Sequence, residues 1–392
     1  ALSFPARMRL FRERCATDRT AHQQEGAPGV HVRIRRGREV EDGLTAIGRI
    51  AGDQLKRRIV VHYISETGDE EAGIDAGGLF KDFWTDLSER VFDPSYGLFR
   101  VTNDQQLYPN PSAAFLHGHE HLELFHQLGR VLGKALHEGL TVQPQFAPFF
   151  LALISGQVRF SEGMFNDLST LDAELFKNLL FLKSYEGDVS ALCLTFTVAG
   201  DELEGGEREL FPGGSNVDVT NGNARRYVEL VAKYMLYDRH REMSQRFFTG
   251  LREVVSISWL ATFSTCELQV VISGAGGDVD VADLKAHTRY QGYAPIGDRT
   301  VARFWRVVDT LEPRDRAALL RFVTSCSRAP MLGFGALEPP FTIQRVDGDE
   351  GRLPTASTCF NTLKLVASYR SDGQMRERLL AAINSGARFD LS

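Results

Sequence analysis

The run Ser273-Gly-Ala-Gly-Gly277 constrains this chain more than any other segment. Residues this small absorb large φ/ψ changes at little steric cost, and they offer almost no side chain to a core. The run follows the apolar Val270-Val-Ile272 and precedes an acidic stretch. It reads as a hinge over residues 274–278, pivoting at Gly274, Ala275, Gly276 and Gly277, between a large first lobe (1–273) and a smaller second lobe (279–392). A length of 392 residues allows roughly two or three domains of ~100–200 residues, each able to bury a core without disulfides.

Apolar residues make up 43% of the chain, and 45 Lys+Arg against 51 Asp+Glu give a net charge of −6. These values exclude a disordered chain, a collagen-like repeat and a membrane bundle. The longest strongly apolar run, Phe146–Ile154, is broken by Pro148 and falls far short of the ~20 residues of a spanning helix, so no membrane partner is expected. The mild acidity gives no reason to expect nucleic acid. The 5 Cys are Cys15, Cys193, Cys266, Cys326 and Cys359, widely spaced and without a C-x-x-C. That pattern argues against a disulfide framework or structural zinc and for a reducing compartment, cytoplasmic or nuclear. The start, Ala1-Leu-Ser-Phe-Pro5, has neither a signal-peptide pattern nor an initiator Met, and is expected to be a cut from something longer.

Patterning predicts an α+β protein whose first lobe is rich in helices. A helix opens the chain and a loop follows at Gln23–Gly29. Val30–Ile34 and Ile59–Ile64 read as strands, and Leu79–Val91 and Leu122–Glu138 as helices. Ser169-Thr-Leu-Asp172 resembles a capping box, opening a helix with the stripe Leu171, Leu175, Leu179 and Leu182. Asp201–Gly214 reads as an exposed loop and Ala224–Leu260 as helical. In the second lobe, Pro313 fits the first turn of a helix ending near Ser325, Phe341–Val346 alternates like a strand, and Ser371–Asn384 forms an amphipathic helix.

Several motifs invite chemistry and fail on context. Gly129-Arg-Val-Leu-Gly133-Lys134 has phosphate-loop colour, but its glycine spacing is short, no Ser/Thr follows the Lys and it sits inside a helix; close helix packing explains the glycines better. His117, His119 and His121 alternate where a helix begins, so they do not converge as metal ligands must, and no metal is expected. Arg33, Arg35, Arg36 and Arg38 fit a solvated strand face. The Leu175/Leu179/Leu182 stripe is core by default; yet Phe176, Leu180, Phe181 and Tyr185 make that helix apolar on nearly every side, which leaves a partner groove open.

Arg352-Leu-Pro-Thr-Ala-Ser-Thr-Cys359-Phe-Asn361 is different: a short polar loop around a Cys, between a strand and the apolar Leu363-Lys-Leu365. Amides and hydroxyls there can stabilise a thiolate; a small residue filling a turn is the plainer account. No His lies between His287 and the C-terminus, so a base would come from far along the chain or from a partner.

Taken in order, Glu71-Ala-Gly-Ile-Asp75-Ala-Gly-Gly78, Leu107-Tyr-Pro-Asn-Pro111, Leu128-Gly-Arg-Val-Leu-Gly-Lys-Ala-Leu136, Pro212-Gly-Gly214 with Val219-Thr-Asn221, Arg321-Phe-Val-Thr-Ser-Cys-Ser-Arg328 and Leu353-Pro-Thr-Ala-Ser-Thr-Cys-Phe-Asn361 resemble the HECT domain of ubiquitin-protein ligases over essentially the whole chain. Phe322–Pro330 and the ending Phe389-Asp-Leu-Ser392 are most similar to the branch whose full-length members carry an upstream calmodulin-binding IQ motif.

The resemblance implies a bilobal fold, with a small subdomain at about residues 165–245 that docks a charged ubiquitin-conjugating enzyme. Ubiquitin then passes to Cys359 as a thioester and on to a substrate lysine, with no cofactor. Thr358 and Asn361 shape the loop, and Phe389 matches the C-terminal aromatic the family needs for transfer; Asp390 is a loose match for a group that deprotonates the lysine. Leu175, Leu179, Leu182, Tyr185, Cys193 and Leu194 match the conjugating-enzyme groove. Ser357 stands where many relatives have His, and Val366-Ala367 stands where they often have Pro after the second Leu. The expected partners are ubiquitin, conjugating enzyme and protein substrates, and a monomer is expected. A catalytically idle scaffold that only docks these partners is the second reading, disfavoured by the intact Thr358-Cys359-Phe360-Asn361 and Phe389. A cysteine hydrolase fails for want of a nearby His.

Overall fold

The computed structural model describes residues 2–23, 29–65, 68, 70, 78–154, 162–200, 206–274, 278–294, 297–324, 326, 328–330 and 333–384, without the side chains of residues 78, 162–164 and 359. The fold is α+β. It divides into two compact units, one drawn from Ala1–Glu89, Lys134–Gln143 and Val270–Ser392, the other from Arg90–Gly133 and Pro144–Gln269. Among the described residues no helix is long and apolar enough to cross a membrane.

In the first unit, Val30–Arg35 and Ile59–Ile64 form the expected strands and pair in parallel, Val30 with Ile59 through Arg35 with Ile64. Period-two alternation drives Val32, Ile34, Ile59, Val61 and Tyr63 inward. The helices Glu39–Arg49 and Gly78–Val91 add Leu44, Ile47, Phe83, Trp84 and Leu87 to the buried set. Gly43 accepts the second helix closely: a Cβ there would lie 3.0 Å from the Phe83 ring.

The opening helix, Phe4–His22, buries only Met8, Phe11 and Cys15. Its other anchor is polar. Asp18 meets His137 Nε2 at 3.0 Å and Lys56 Nζ at 3.1 Å. The neighbouring Lys134, fully buried, donates to the Arg57 carbonyl at 2.8 Å and pairs with Glu138. That internal use of its ammonium agrees with reading Lys134 as part of a helix rather than of a phosphate loop.

The rest of this unit carries a four-stranded sheet in the order Arg289–Gln291, Thr342–Val346, Thr362–Val366, Thr355–Ser357, the last strand antiparallel. Ile343, Leu363 and Leu365 face a core built with Phe304, Trp305, Leu320, Val323, Met375 and Leu379 from the helices Arg299–Asp309, Pro313–Thr324 and Asp372–Asn384. Asp298 starts the first of these by accepting from Thr300 N at 2.8 Å. Leu380 and Ile383, expected inward, are partly buried against this core.

The second unit is organised by aromatic rings. Phe99, Phe125, Phe146, Phe150 and Phe247 are buried, and Phe150 and Phe247 lie 5.4 Å apart. The helices His121–Glu138 and Arg241–Val254 cross at glycines, as expected for Gly129: a Cβ there would sit 1.8 Å from the Phe247 carbonyl oxygen, and one on Gly250 would sit 1.9 Å from that of His126. Glu253 locks the crossing by accepting from Arg130 Nε at 2.6 Å and meeting His126 Nε2 at 2.8 Å.

Two local expectations need correction. Ser169 does not open a helix; it lies near the end of Glu162–Leu171, and the cap of Ala173–Ser184 is Asp172, which accepts from Leu175 N at 2.9 Å. Ser169 lies inside the preceding helix, where its Oγ donates to the Asn166 carbonyl at 2.6 Å, which leaves Asp172 to take the exposed first-turn amide and draw on the helix dipole. The stretch Asp201–Gly214 is not all loop, because Glu207–Glu209 pairs antiparallel with Thr197–Ala199.

Two outcomes follow. Gly129→Ala presses a methyl group into backbone that no rotamer change can relieve, and should cost roughly 3 kcal/mol or more, read as a lower urea midpoint. Burial pushes His137 down to about 4 and His240 to about 3. Between the ordinary value of 6.5 and these, the unfolded chain binds protons that the folded chain does not, so stability must fall as pH drops from about 6.5 to about 4. His137→Gln with His240→Gln should flatten that slope in unfolding curves taken across this range.

Candidate active site

Strand Thr355–Ser357 runs antiparallel to Thr362–Val366, pairing Ser357 with Thr362. The chain reverses between them through a single 3₁₀ turn, Thr358–Phe360, so Cys359 is the middle residue of the reversal. Asn361 completes it with φ 47° and ψ 44°. Left-handed backbone is tolerated by few residues other than Gly, and Asn is one of them.

Asn361 is fully buried. Its Nδ2 donates to the Pro339 carbonyl at 2.6 Å, its Oδ1 accepts from Lys81 Nζ at 3.1 Å, and its own carbonyl accepts from Thr342 N at 2.9 Å. Thr358 is also buried and donates through Oγ1 to Asp82 Oδ2 at 3.3 Å. Lys81 and Asp82 begin the Gly78–Val91 helix, so one helical turn grips the reversal on both sides of Cys359. Further along that helix, Asp86 stands 3.7 Å from Arg321 Nη2 and Glu89 pairs with the same guanidinium. Glu89 also accepts from Gln143 Nε2 at 2.7 Å. Asp82, Asp86 and Glu89 follow the i, i+4, i+7 spacing of one helix face. Sequence reasoning missed Lys81 and Asp82, and took Arg321 only as the start of a motif without its pairing; no local pattern announces pairings this far apart in the chain.

The sheet face away from the core stays open next to this turn. A cleft of about 480 Å³ is lined by Arg289, Gln344, Ser357, Phe360, Thr362 and Lys364 among others. Phe360 stands 56% exposed there, an apolar ring accessible beside the candidate cysteine. The last His before the turn, His287, is engaged with Asp283 at 2.9 Å.

The groove residues divide into two sets. Leu179 and Leu182 are buried, while Leu175, Tyr185 and Leu194 are half-buried and Cys193 is exposed with φ 51°. The outward apolar surface of the Ala173–Ser184 helix is Leu180 and Phe181, 47% and 56% exposed; Leu192, in the turn that follows, is 37% exposed. The Phe181 and Tyr185 rings meet at 5.2 Å. The sequence signalled an over-apolar helix without saying which side faces out. Of the hinge, Gly274 is described, with φ 80°; Ala275, Gly276 and Gly277 lie outside the described residues, as do Phe389 and Asp390.

A family model described as HECT-domain (ubiquitin-transferase) matches residues 85–392. The chain is 40% identical over 398 residues to E3 ubiquitin-protein ligase UPL6 of Arabidopsis thaliana, covering 100% of this chain and 38% of that protein. It is 38% identical over 394 residues to Ubiquitin-protein ligase E3B of Homo sapiens, covering 92% and 36%, and 39% identical over 364 residues to E3 ubiquitin-protein ligase HUL5 of Saccharomyces cerevisiae, covering 92% and 39%. The chain thus spans less than two-fifths of the length of these relatives. On the extent of the family match, the chain belongs to the HECT-domain (ubiquitin-transferase) family.

Proposed function

We propose that this chain is the transferase domain of a ubiquitin ligase working through Cys359. The Cys359 thiolate attacks the thioester carbonyl at the C-terminus of ubiquitin carried by a conjugating enzyme, and that enzyme's thiolate leaves. The amine of a substrate lysine then attacks the new thioester, loses a proton, and expels the Cys359 thiolate as the isopeptide bond forms. Exchange of one thioester for another is close to isoenergetic, so the chemistry asks mainly for placement of two large carriers.

The observation that carries this reading is the turn Thr358–Phe360, whose flanking residues Thr358 and Asn361 are buried and held on either side of Cys359 beside an open sheet face. A turn clamped in this way keeps the residue between its anchors in one place. The conjugating enzyme is proposed to dock on the surface of Leu180, Phe181 and Leu192 together with Tyr185 and Cys193, with Leu179 and Leu182 supporting it from beneath. Leu175 and Leu194 border that surface. The division at 274–278 into two lobes, with Gly274–Gly277 as pivot, supplies the change of partner between the two steps, and Phe389 and Asp390 are proposed to act in the second. A single-chain protein of the cytoplasm or nucleus fits the unpaired cysteines.

Incubation with charged conjugating enzyme should give, on a non-reducing gel, a band heavier by one ubiquitin that reductant removes. It should be absent with Cys359→Ala, and its persistence there would overturn the assignment. The contacts from the Gly78–Val91 helix bear on only one arrangement of the turn. Lys81→Ala with Asp82→Ala should therefore slow discharge onto free lysine by about tenfold, the equivalent of ~1.4 kcal/mol, and slow charging much less. Equal slowing of both steps in single-turnover assays would contradict that.

A further inference from the structure

Away from the catalytic turn, the Arg241–Val254 helix presents a second feature with no part in thioester chemistry. Arg241, Gln245, Phe248 and Arg252 share one face of that helix and line a cleft of about 710 Å³. Lys233 and Tyr237 enter the same cleft from the end of the preceding helix, and Leu153 closes it. Its floor is apolar at Phe248 and Leu153, and its rim is cationic.

Three observations indicate what it holds. Among the described residues neither Arg241 nor Arg252 has an ion-pair or hydrogen-bond partner, although both are exposed and the protein as a whole is acidic. The lone carboxylate on the lining, Asp238, is already spent on Lys233 at 3.3 Å. The Tyr237 hydroxyl is buried without a hydrogen-bond partner, and that residue is only 7% exposed. Asp167, whose charge also reaches Tyr237, does not line the cleft. A buried donor and two free guanidinium groups around an apolar floor want acceptors and negative charge.

The spacing narrows this further. Arg241 and Arg252 are eleven positions apart on one helix, or ~16 Å along its axis, which an extended strand covers in about five residues. We propose that this cleft binds an extended acidic segment of a protein partner, with two carboxylates about five residues apart seated on Arg241 and Arg252 and an apolar side chain between them over Phe248. In a ligase such a segment would belong to a substrate, a role that rests on the reading above; the binding itself does not.

Fluorescence anisotropy with the whole chain tests it. The probe is a labelled peptide of about ten residues, with two glutamates about five residues apart, a leucine between them, and Gly and Ser elsewhere. The control has the same composition with the glutamates adjacent. The spaced probe should bind at least about tenfold more tightly than the control, weaken with added salt, and lose about tenfold with Arg241→Glu or Arg252→Glu. Charging of Cys359 should be unchanged in both variants, which separates this proposal from the transferase reading. Equal affinity for the two peptides, or undiminished binding by a variant that still charges, overturns it. So does binding to phosphatidylserine vesicles without binding to the peptide. If either variant misfolds, Arg241→Gln and the comparison of the two peptides on the unaltered chain still decide the matter.

Discussion

A buried asparagine with left-handed backbone governs the geometry of the candidate site. Asn361 turns the chain from one strand into the next, and every polar group of its amide side chain that bears on the turn is engaged, toward Pro339 on one side and Lys81 on the other. Leaving either end of such an amide unsatisfied in the interior costs on the order of 1–3 kcal/mol, and few other residues tolerate the φ of 47°. The same short stretch therefore sets strand register, loop shape and the location of Cys359. The thioester chemistry proposed for Cys359 is limited by placement and would need this kind of rigidity in its loop.

The three surfaces differ in physical character. The face at Leu180, Phe181 and Leu192 is apolar and suits a preformed hydrophobic contact. The sheet face beside Phe360 is polar with two cations, Arg289 and Lys364, and suits hydrogen-bonded contact with a chain passing the Cys359 turn. The cleft at Arg241 and Arg252 is cationic over an apolar floor. On the reading proposed above, surfaces of different character would let a carrier and a substrate be held without competing for one patch.

Much of this was legible in the sequence, and the limit is set by distance along the chain. Strands Val30–Arg35 and Ile59–Ile64 were readable because period-two alternation is local, and the close packing at Gly129 because its helix leaves no other use for a glycine there. The turn at Cys359 stood out by residue type. By contrast, the grip of Lys81 and Asp82 on Asn361 and Thr358 joins residues 280 and 276 positions apart, and nothing in either segment alone foretells it. The stripe Leu175, Leu179, Leu182 foretold a helix, observed as Ala173–Ser184, but not its orientation, because neighbours at Leu180 and Phe181 are as apolar as the stripe and only tertiary packing selects which face is covered.

The central claim is that Cys359 alone carries the tag. Intact-mass measurement after mixing with charged conjugating enzyme, followed by peptide mapping without reductant, reads this directly. The account predicts a single added ubiquitin, attached through sulfur to the peptide containing Cys359. Attachment at the exposed Cys193 or Cys266 instead, or an adduct equally abundant on several cysteines, would contradict it.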